Sequence, residues 1–329
     1  MSDRSAEGEN LGGASRVTAR APGKLVVSGA YSVLWGAPCL VTAVDRFAVA
    51  VRGELPIHIS EEVKAAIALG LLDRACLVDA SQLRAPVADA AGTTRKLGLG
   101  SSAAIIVATL AAARAEWPTT ESRLSDSQRN RIFADALLAH RTAQKGGSGV
   151  DVAASVFGGL LACRIGADGA LAVEPRAFPP SVEVHVFASA QPASTQDMVA
   201  RVRAFERLSP ARHATLIGQA GACAERAAQA ASCADFLDAL HAQDGALRVL
   251  AREADVPIFT QEFDVLHAAA ATEGAFFGPS GAGGGDIGIY VSERAPGEAF
   301  LAALARLEVD RLDVRVGAHG VRVETVPAS

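Results

Sequence analysis

Lys96-Leu97-Gly98-Leu99-Gly100-Ser101-Ser102-Ala103-Ala104 runs without a break into Ile105-Ile106-Val107-Ala108-Thr109-Leu110. Two glycines and two hydroxyls thus stand directly before an apolar, alanine-rich stretch that reads as a buried helix. The first turn of a helix has N–H groups without internal partners and the positive end of the peptide dipoles, so such a loop can hold phosphate. Glycines let the backbone approach an anion closely, and a serine hydroxyl adds a donor or a ligand for Mg2+. Taken alone, the segment reads more simply as a serine-capped helix after a glycine turn. The rest of the chain reverses that preference.

The chain has 329 residues, 50% of them hydrophobic, enough for a sizeable core and most naturally for two domains. A net charge of -5 and an isoelectric point near 5.8 argue against a nucleic-acid partner held by bulk electrostatics. A small anionic substrate needs only a local group of cations. Five cysteines, at 39, 76, 163, 223 and 233, are odd in number and lack the spacing of a zinc site, which points to core thiols in a reducing cytoplasm. Residues 1–15 are polar and read as a flexible tail, not a signal peptide. The uncharged run between Lys96 and Arg114 is expected to be a buried helix and not a membrane span.

Strands are expected at 17–27 and 38–52, with a turn-rich piece around Ser28-Gly29-Ala30-Tyr31 between them. Helical patterns follow at about 61–72, 102–116 and 125–144, and Asp151 to Val156 opens another helix just after Lys145-Gly146-Gly147-Ser148-Gly149. Pro179-Pro180 is the best candidate boundary between a domain at 16–179 and a second at 180–329. Beyond it come a strand at 182–189, helices at about 195–207, 210–230 and 233–253, a glycine loop at 278–288, and strands at 287–292 and 312–317. Strands and helices mix without a regular βαβ alternation, so the fold class is α+β.

Four pieces could carry chemistry: Ala21-Pro22-Gly23-Lys24, Gly98 to Ala103, Gly147-Ser148-Gly149-Val150-Asp151, and Ser280-Gly281-Ala282-Gly283-Gly284-Gly285-Asp286. Three glycine loops with adjacent hydroxyls, plus a lysine and an aspartate, suit the binding and transfer of phosphate, a reaction that depends on positioning and cations. The first loop is not GxxxxGK[ST], so a Walker loop is absent. Gly283 to Gly288 matches GxGxxG literally, but a strand follows it where a dinucleotide fold needs a helix, which sets hydride transfer aside.

Together the pieces resemble the GHMP kinase superfamily, whose three ordered motifs look like Pro22-Gly23-Lys24, Gly98 to Ala103 and Gly281 to Asp286. The resemblance extends from about residue 20 to 325. Within the superfamily it is closest to the phosphomevalonate kinase branch, through Asp45-Arg46-Phe47, His140-Arg141-Thr142-Ala143-Gln144, Pro192-Ala193-Ser194-Thr195 and Asp286. Mevalonate kinases typically have a glycine in place of Asp286 and a magnesium-binding glutamate near the position of His140. The chain departs from the pattern at Ala30, where many bacterial members have glutamate, and at Lys145-Gly146, whose order is inverted.

The resemblance implies a two-domain α+β architecture, a ribosomal-protein-S5-like N-terminal domain and a ferredoxin-like C-terminal one. It implies an ATP-dependent phosphotransferase acting on a small mevalonate-derived acceptor: 5-phosphomevalonate first, with mevalonate or another small alcohol as the alternative and a non-catalytic nucleotide-binding paralogue as a distant one. Gly98, Leu99, Gly100, Ser101, Ser102 and Ala103 would wrap the ATP phosphates, and Ser102 would contact Mg2+. Lys24 and Asp151 would be catalytic, Lys24 neutralising phosphoryl charge and holding Asp151 ionised. Tyr31, Ser148, Gly149, Ser194, Thr195, Gly281 and Gly283 would line the acceptor pocket, and Arg141, Lys145, Arg201 and Arg203 are candidate partners for the acceptor phosphate. His140 reads as a packed or surface histidine. The expected protein is cytoplasmic, a monomer or homodimer, with no nucleic-acid or membrane partner.

Overall fold

The computed structural model describes residues 16–86, 94–115, 124–189 and 194–326. The expected tail at 1–15 and the pair Pro192 and Ala193 lie outside the described residues. The chain opens with two long strands, β1 (Arg16–Ser28) and β2 (Cys39–Val51), followed by helix α1 (Glu61–Ala68) and the short strands β3 (Leu77–Asp79), β4 (Arg84–Pro86) and β5 (Thr94–Lys96). Helices α2 (Ser101–Arg114), α3 (Asp126–Gln144) and α4 (Val150–Phe157) come next, then the hairpin β6 (Leu160–Ile165) and β7 (Leu171–Arg176). Strand β8 (Glu183–Ser189) leads into helices α5 (Thr195–Leu208), α6 (Pro210–Gln229), α7 (Cys233–Glu253) and α8 (Gln261–Thr272). The described chain closes with β9 (Phe276–Pro279), β10 (Ile287–Ser292), α9 (Glu298–Leu304), β11 (Val309–Leu312) and β12 (Arg322–Val326).

These strands form two principal antiparallel sheets. The first runs β12-β1-β2-β6-β7 with β3 beside β2, and the second runs β11-β8-β10-β9. The passage from one to the other falls at Pro179-Pro180, between β7 and β8. The division is not clean, because β12 returns from the second half to pair with β1. Antiparallel sheets with helices packed on them, and no βαβ order, make the fold α+β.

Helix α2 is the centre of the first half. Its residues Ala103, Ala104, Ile106, Val107, Ala108, Leu110, Ala111 and Ala112 are all buried, apolar on every side as a fully enclosed helix should be. Small alanines let it lie close to β1 and β2, while Ile106 and Leu110 each contribute about 1.5–3 kcal/mol of burial. Helix α3 starts on a Ser125–Gln128 capping box and ends on Lys145 in the left-handed region.

Two expectations need correction. The helix expected to 72 stops at 68, because Gly70 turns out of helical space at φ 69°. The strand expected at 312–317 is two pieces in two sheets: β11 pairs with β8 and ends at Leu312, and Val316 then bridges Val44 of β2. Asp45 causes the switch by accepting from the Arg315 backbone (2.7 Å) and from its guanidinium (2.8 Å), which draws the chain across. All five cysteines are free; Cys39, Cys163 and Cys233 are buried as expected of core thiols, whereas Cys76 and Cys223 are only part-buried.

Candidate active site

Lys24 sits on β1 at a kink. The β1–β2 register slips between Pro22 and Gly23, and Gly23 lies so close to the 97–100 loop that a Cβ there would stand 2.6 Å from the Leu99 carbonyl. The contact is fixed twice: the Lys24 backbone N–H donates to Leu99 O (2.8 Å), and its Nζ donates to Gly98 O (2.9 Å). On the other side the Pro22 carbonyl accepts from Ser155 Oγ of α4 (2.7 Å). The lysine strand is therefore held between the loop that precedes α2 and the later turn of α4.

Gly98 (φ 70°) and Gly100 (φ 77°) both adopt the left-handed region, which only glycine enters without strain. A Cβ on Gly98 would meet Asp286 Oδ2 at 2.2 Å, and one on Gly100 would meet Lys24 Cγ at 2.8 Å and Asp151 Cβ at 3.7 Å. The three motifs quoted from distant parts of the sequence thus press on one loop. No side chain caps α2 and no acid lies in its first turn, a start whose N–H groups and dipole are suited to an anion. Ser101 is buried; Ser102 is more open, with Lys96 Nζ 3.3 Å from its Oγ.

Asp151 occupies the first turn of α4, where the dipole favours a carboxylate. Its partner is His140, the buried residue read as mere packing: Nε2 lies 3.2 Å from Asp151 Oδ2. Burial alone would raise the Asp151 pKa, but the charge and hydrogen bond of His140, then the charge of Lys24 and the Val152 N–H, hold the carboxyl well below the usual range. For His140, burial opposes the charged form, and Asp151 and Glu62 outweigh it, so its pKa is raised. Burial draws the Lys24 pKa down against the pull of Asp151 and Asp286. Lys24 is thus near Asp151 without closing an ion pair among the described residues; its ammonium is bonded to the loop carbonyl. The expectation that Lys24 holds Asp151 ionised is sharpened: His140 does more of that work.

The family model for the GHMP kinase N-terminal domain matches residues 89–159, which include this loop, His140 and Asp151. Phosphomevalonate kinase from Streptomyces sp. (strain CL190) is 30% identical over 84% of this chain and 90% of its own length. The chain belongs to the GHMP kinase family. Solved structures repeat the fold: a Lin0012 protein from Listeria innocua superposes with a TM-score of 0.77 at 21% identity, covering 94% of this chain and 99% of that one. Streptococcus pneumoniae phosphomevalonate kinase, crystallised with phosphomevalonate and AMPPNP, gives 0.69 at 16% identity over 91% of this chain and 99% of that one. As a GHMP kinase the protein is a phosphotransferase.

The residues expected on the acceptor side of this GHMP kinase are scattered around the loop. Gly149 opens α4 and packs on Leu137, and the Ser148 carbonyl accepts from Arg141 (3.2 Å). Arg141 also donates to Gly169 O, so its guanidinium braces the loop before α4. Ser194 caps α5 by accepting from the Asp197 N–H (3.3 Å), and Thr195 is exposed beside it. Gln196 ties this turn to the end of α3 through Gln144 Oε1 (2.7 Å). Tyr31 is only 4% exposed and its hydroxyl donates to the Ala282 carbonyl, so it supports the third glycine loop from beneath. In that loop Gly281 faces open space, whereas Gly283 packs on the Ile258 carbonyl. Ser280 Oγ accepts from the Val26 N–H (3.0 Å), joining this loop to the lysine strand. Arg201 pairs with Asp255, while Lys145 and Arg203 are exposed.

Sequence reasoning read His140 as a packed or surface residue and did not single out Glu62 or Arg95. Arg95 reaches Ser189 O (2.6 Å) and stands 3.8 Å from Asp286, whose pKa burial raises. His140 lies within the family-like His140 to Gln144 run, but only folding brings it to Asp151. Among the described residues no group of three or more His, Cys, Asp or Glu side chains could hold a metal. Mg2+ fits nonetheless, because it takes one or two protein oxygens and completes its shell with phosphates and water. The Ser102 hydroxyl in the first turn of α2 is such an oxygen. No helix among the described residues is long and apolar enough to cross a membrane.

Proposed function

We propose that this kinase transfers the γ-phosphoryl group of ATP to the phosphate of 5-phosphomevalonate, giving 5-diphosphomevalonate and ADP. The observation that carries the reading is the meeting of Lys24, Gly100 and Asp151 in one place, at the uncapped start of α2. The phosphomevalonate kinase relative supports the choice of acceptor. In this reading residues 98–103 cradle the nucleotide phosphates, and Ser102 supplies an oxygen to Mg2+. When bound, Mg2+ offsets charge on the nucleotide phosphates. Residues 16–179 form the nucleotide domain, and 180–329 complete the acceptor side while returning β12 to the first sheet. No membrane or nucleic-acid partner is needed; the protein acts in the cytoplasm as a monomer or homodimer.

An oxygen of the acceptor phosphate attacks the γ-phosphorus, the bond from that phosphorus to the bridging β–γ oxygen breaks, and ADP leaves with the electron pair. Lys24 offsets the charge shared between the two anions. A phosphate monoester has a second pKa near 6, so at neutral pH the attacking oxygen has already lost its proton. Asp151 is ionised far below neutrality, which makes it a poor proton acceptor but a good fixed charge. It therefore orients Lys24 and the acceptor, and His140 holds it in place.

The test is an ADP-release assay with 5-phosphomevalonate and mevalonate as separate acceptors. We expect kcat/KM for phosphomevalonate to exceed that for mevalonate by at least about 10²-fold, as a site built for a charged group rejects its absence. A preference for mevalonate would overturn the acceptor and leave the kinase assignment standing.

A further inference from the structure

Tyr31 stands in a rare backbone conformation, φ 62° and ψ -60°. With the Ser32 N–H donating back to Ala30 O (2.8 Å), it is the centre of a three-residue γ-turn of the rarer, strained hand. A bulky side chain adopts that conformation only where its surroundings fix it from several sides. On one side the Tyr31 hydroxyl donates to Ala282 O in the third glycine loop, and the side chain shares an apolar cluster with Met198 and Val202 of α5. On the other, Gly29 O accepts from the Val33 N–H (3.1 Å), and a Cβ on Gly29 would stand 2.2 Å from Pro38 O.

The remaining anchor comes from far along the chain. Gln243, in the middle of α7, is 5% exposed, and its Oε1 accepts from Ser28 Oγ (2.8 Å) and from the Gly29 N–H (3.3 Å). Its Nε2 has no partner among the described residues, so the oxygen carries the polar attachment. A buried hydroxyl and amide that lose their acceptor are costly, and this oxygen therefore ties α7 to the root of the Tyr31 turn. The phosphate-loop side of β1 is secured separately. Lys24 bonds Leu99 O and Gly98 O, and Lys24, Leu25 and Val26 stay paired with β2.

We infer that Gln243 is a positioning residue for the acceptor: through Ser28 and Gly29 it holds Tyr31 in its strained turn, and Tyr31 holds the third glycine loop in place. The role rests on the acceptor side proposed above, to which that loop belongs. Gln243 touches no reacting group, and its influence falls on the acceptor and not on the nucleotide.

Two measurements on the full chain test this: amide hydrogen exchange, and ADP-release kinetics with ATP and 5-phosphomevalonate varied in turn. Gln243→Met keeps the length of the side chain and removes the accepting oxygen. The Gly29 and Val33 amides should then exchange at least about tenfold faster, while those of α2 stay as in wild type. KM for the acceptor should rise about tenfold with KM for ATP unchanged, a split that general loosening does not produce. If Gln243→Met does not fold by circular dichroism, Ser28→Ala, which removes one of the two donors, should raise the acceptor KM about threefold and again spare ATP. Unchanged exchange at Gly29 in the folded variants, an acceptor KM that does not move, or equal changes in both KM values would overturn the role of Gln243. A wild type that releases no ADP with 5-phosphomevalonate would instead overturn the acceptor reading, and exchange at Gly29 would still decide whether Gln243 anchors the turn.

Discussion

Helices α2 and α4 begin alike and are used in opposite ways. Each follows a glycine in the left-handed region, Gly100 at φ 77° and Gly149 at φ 80°, and neither is capped by a side chain. The first turn of α2 holds no acid, so no carboxylate of its own answers its positive end. The first turn of α4 holds Asp151, which His140 secures. In the function proposed above, one local device receives anions in the first case and carries a fixed negative charge in the second. What separates them is a single carboxylate and the histidine that folding brings to it, with Lys24 standing between the two.

Removing the charge from the α4 start should have the largest effect. Asp151→Asn is expected to lower kcat roughly 10²-fold or more across pH 5.5–8.5 without changing the shape of the profile, the loss of an electrostatic group and not of a base. Activity that recovers toward high pH would mean that Asp151 takes a proton, and the contrast between the two helix starts would then be one of base against cradle.

Spoiling the α2 start should be smaller and should appear in a different constant. Gly98→Ala forces a side chain into left-handed space and against Asp286, whose Oδ2 would lie 2.2 Å from the new Cβ. The backbone penalty of about 1–2 kcal/mol corresponds to roughly a tenfold rise in KM for ATP. Steady-state kinetics at saturating acceptor measures it, and a pure kcat effect would remove Gly98 from the phosphate cradle.

The last test falls on the histidine and is read in stability, with no change of rate constant required. The His140 pKa is raised in the folded state, so its pairing with Asp151 stabilises fully below about 6.5 and fades as pH climbs through the raised value. His140→Gln keeps a donor but cannot titrate. Wild type should therefore exceed the variant by about 1–3 kcal/mol in urea unfolding near pH 5.5, with the gap narrowing by pH 8. A gap that does not change with pH would show the ring to be packing alone.

Local pattern made the long elements readable. Alternation in β1 and β2 and the apolar run of α2 were legible because each periodicity is fixed by the face it buries. The places of the glycine loops were legible because positive φ and close approach both demand glycine. What could not be read were contacts whose two members lie far apart in sequence. Glu62 reaches Gln144 across 82 positions, and nothing in Glu61-Glu62-Val63 separates it from a solvated helix start. His140 is 11 residues before Asp151, on another helix, and its pairing depends on how α3 and α4 cross. The run after β11 was misread because its apolar residues serve two sheets in turn.

The segment from Arg315 to Val326 has a consequence for the order in which the molecule is made. It bonds β2 through Gly317 N–H to Ala43 O (2.9 Å), reaches the end of α4 through Val321 N–H to Ser155 O (3.0 Å), and completes the outer edge of β1. The Arg20–Glu324 ion pair joins residues 304 positions apart. On the ribosome, the lysine-bearing strand therefore waits with one edge bare while nearly all the remaining sequence is translated. Contacts of such separation are slow to close. The loop at 98–103 is thus translated long before the segment that completes the edge of β1, the strand on which that loop is bonded.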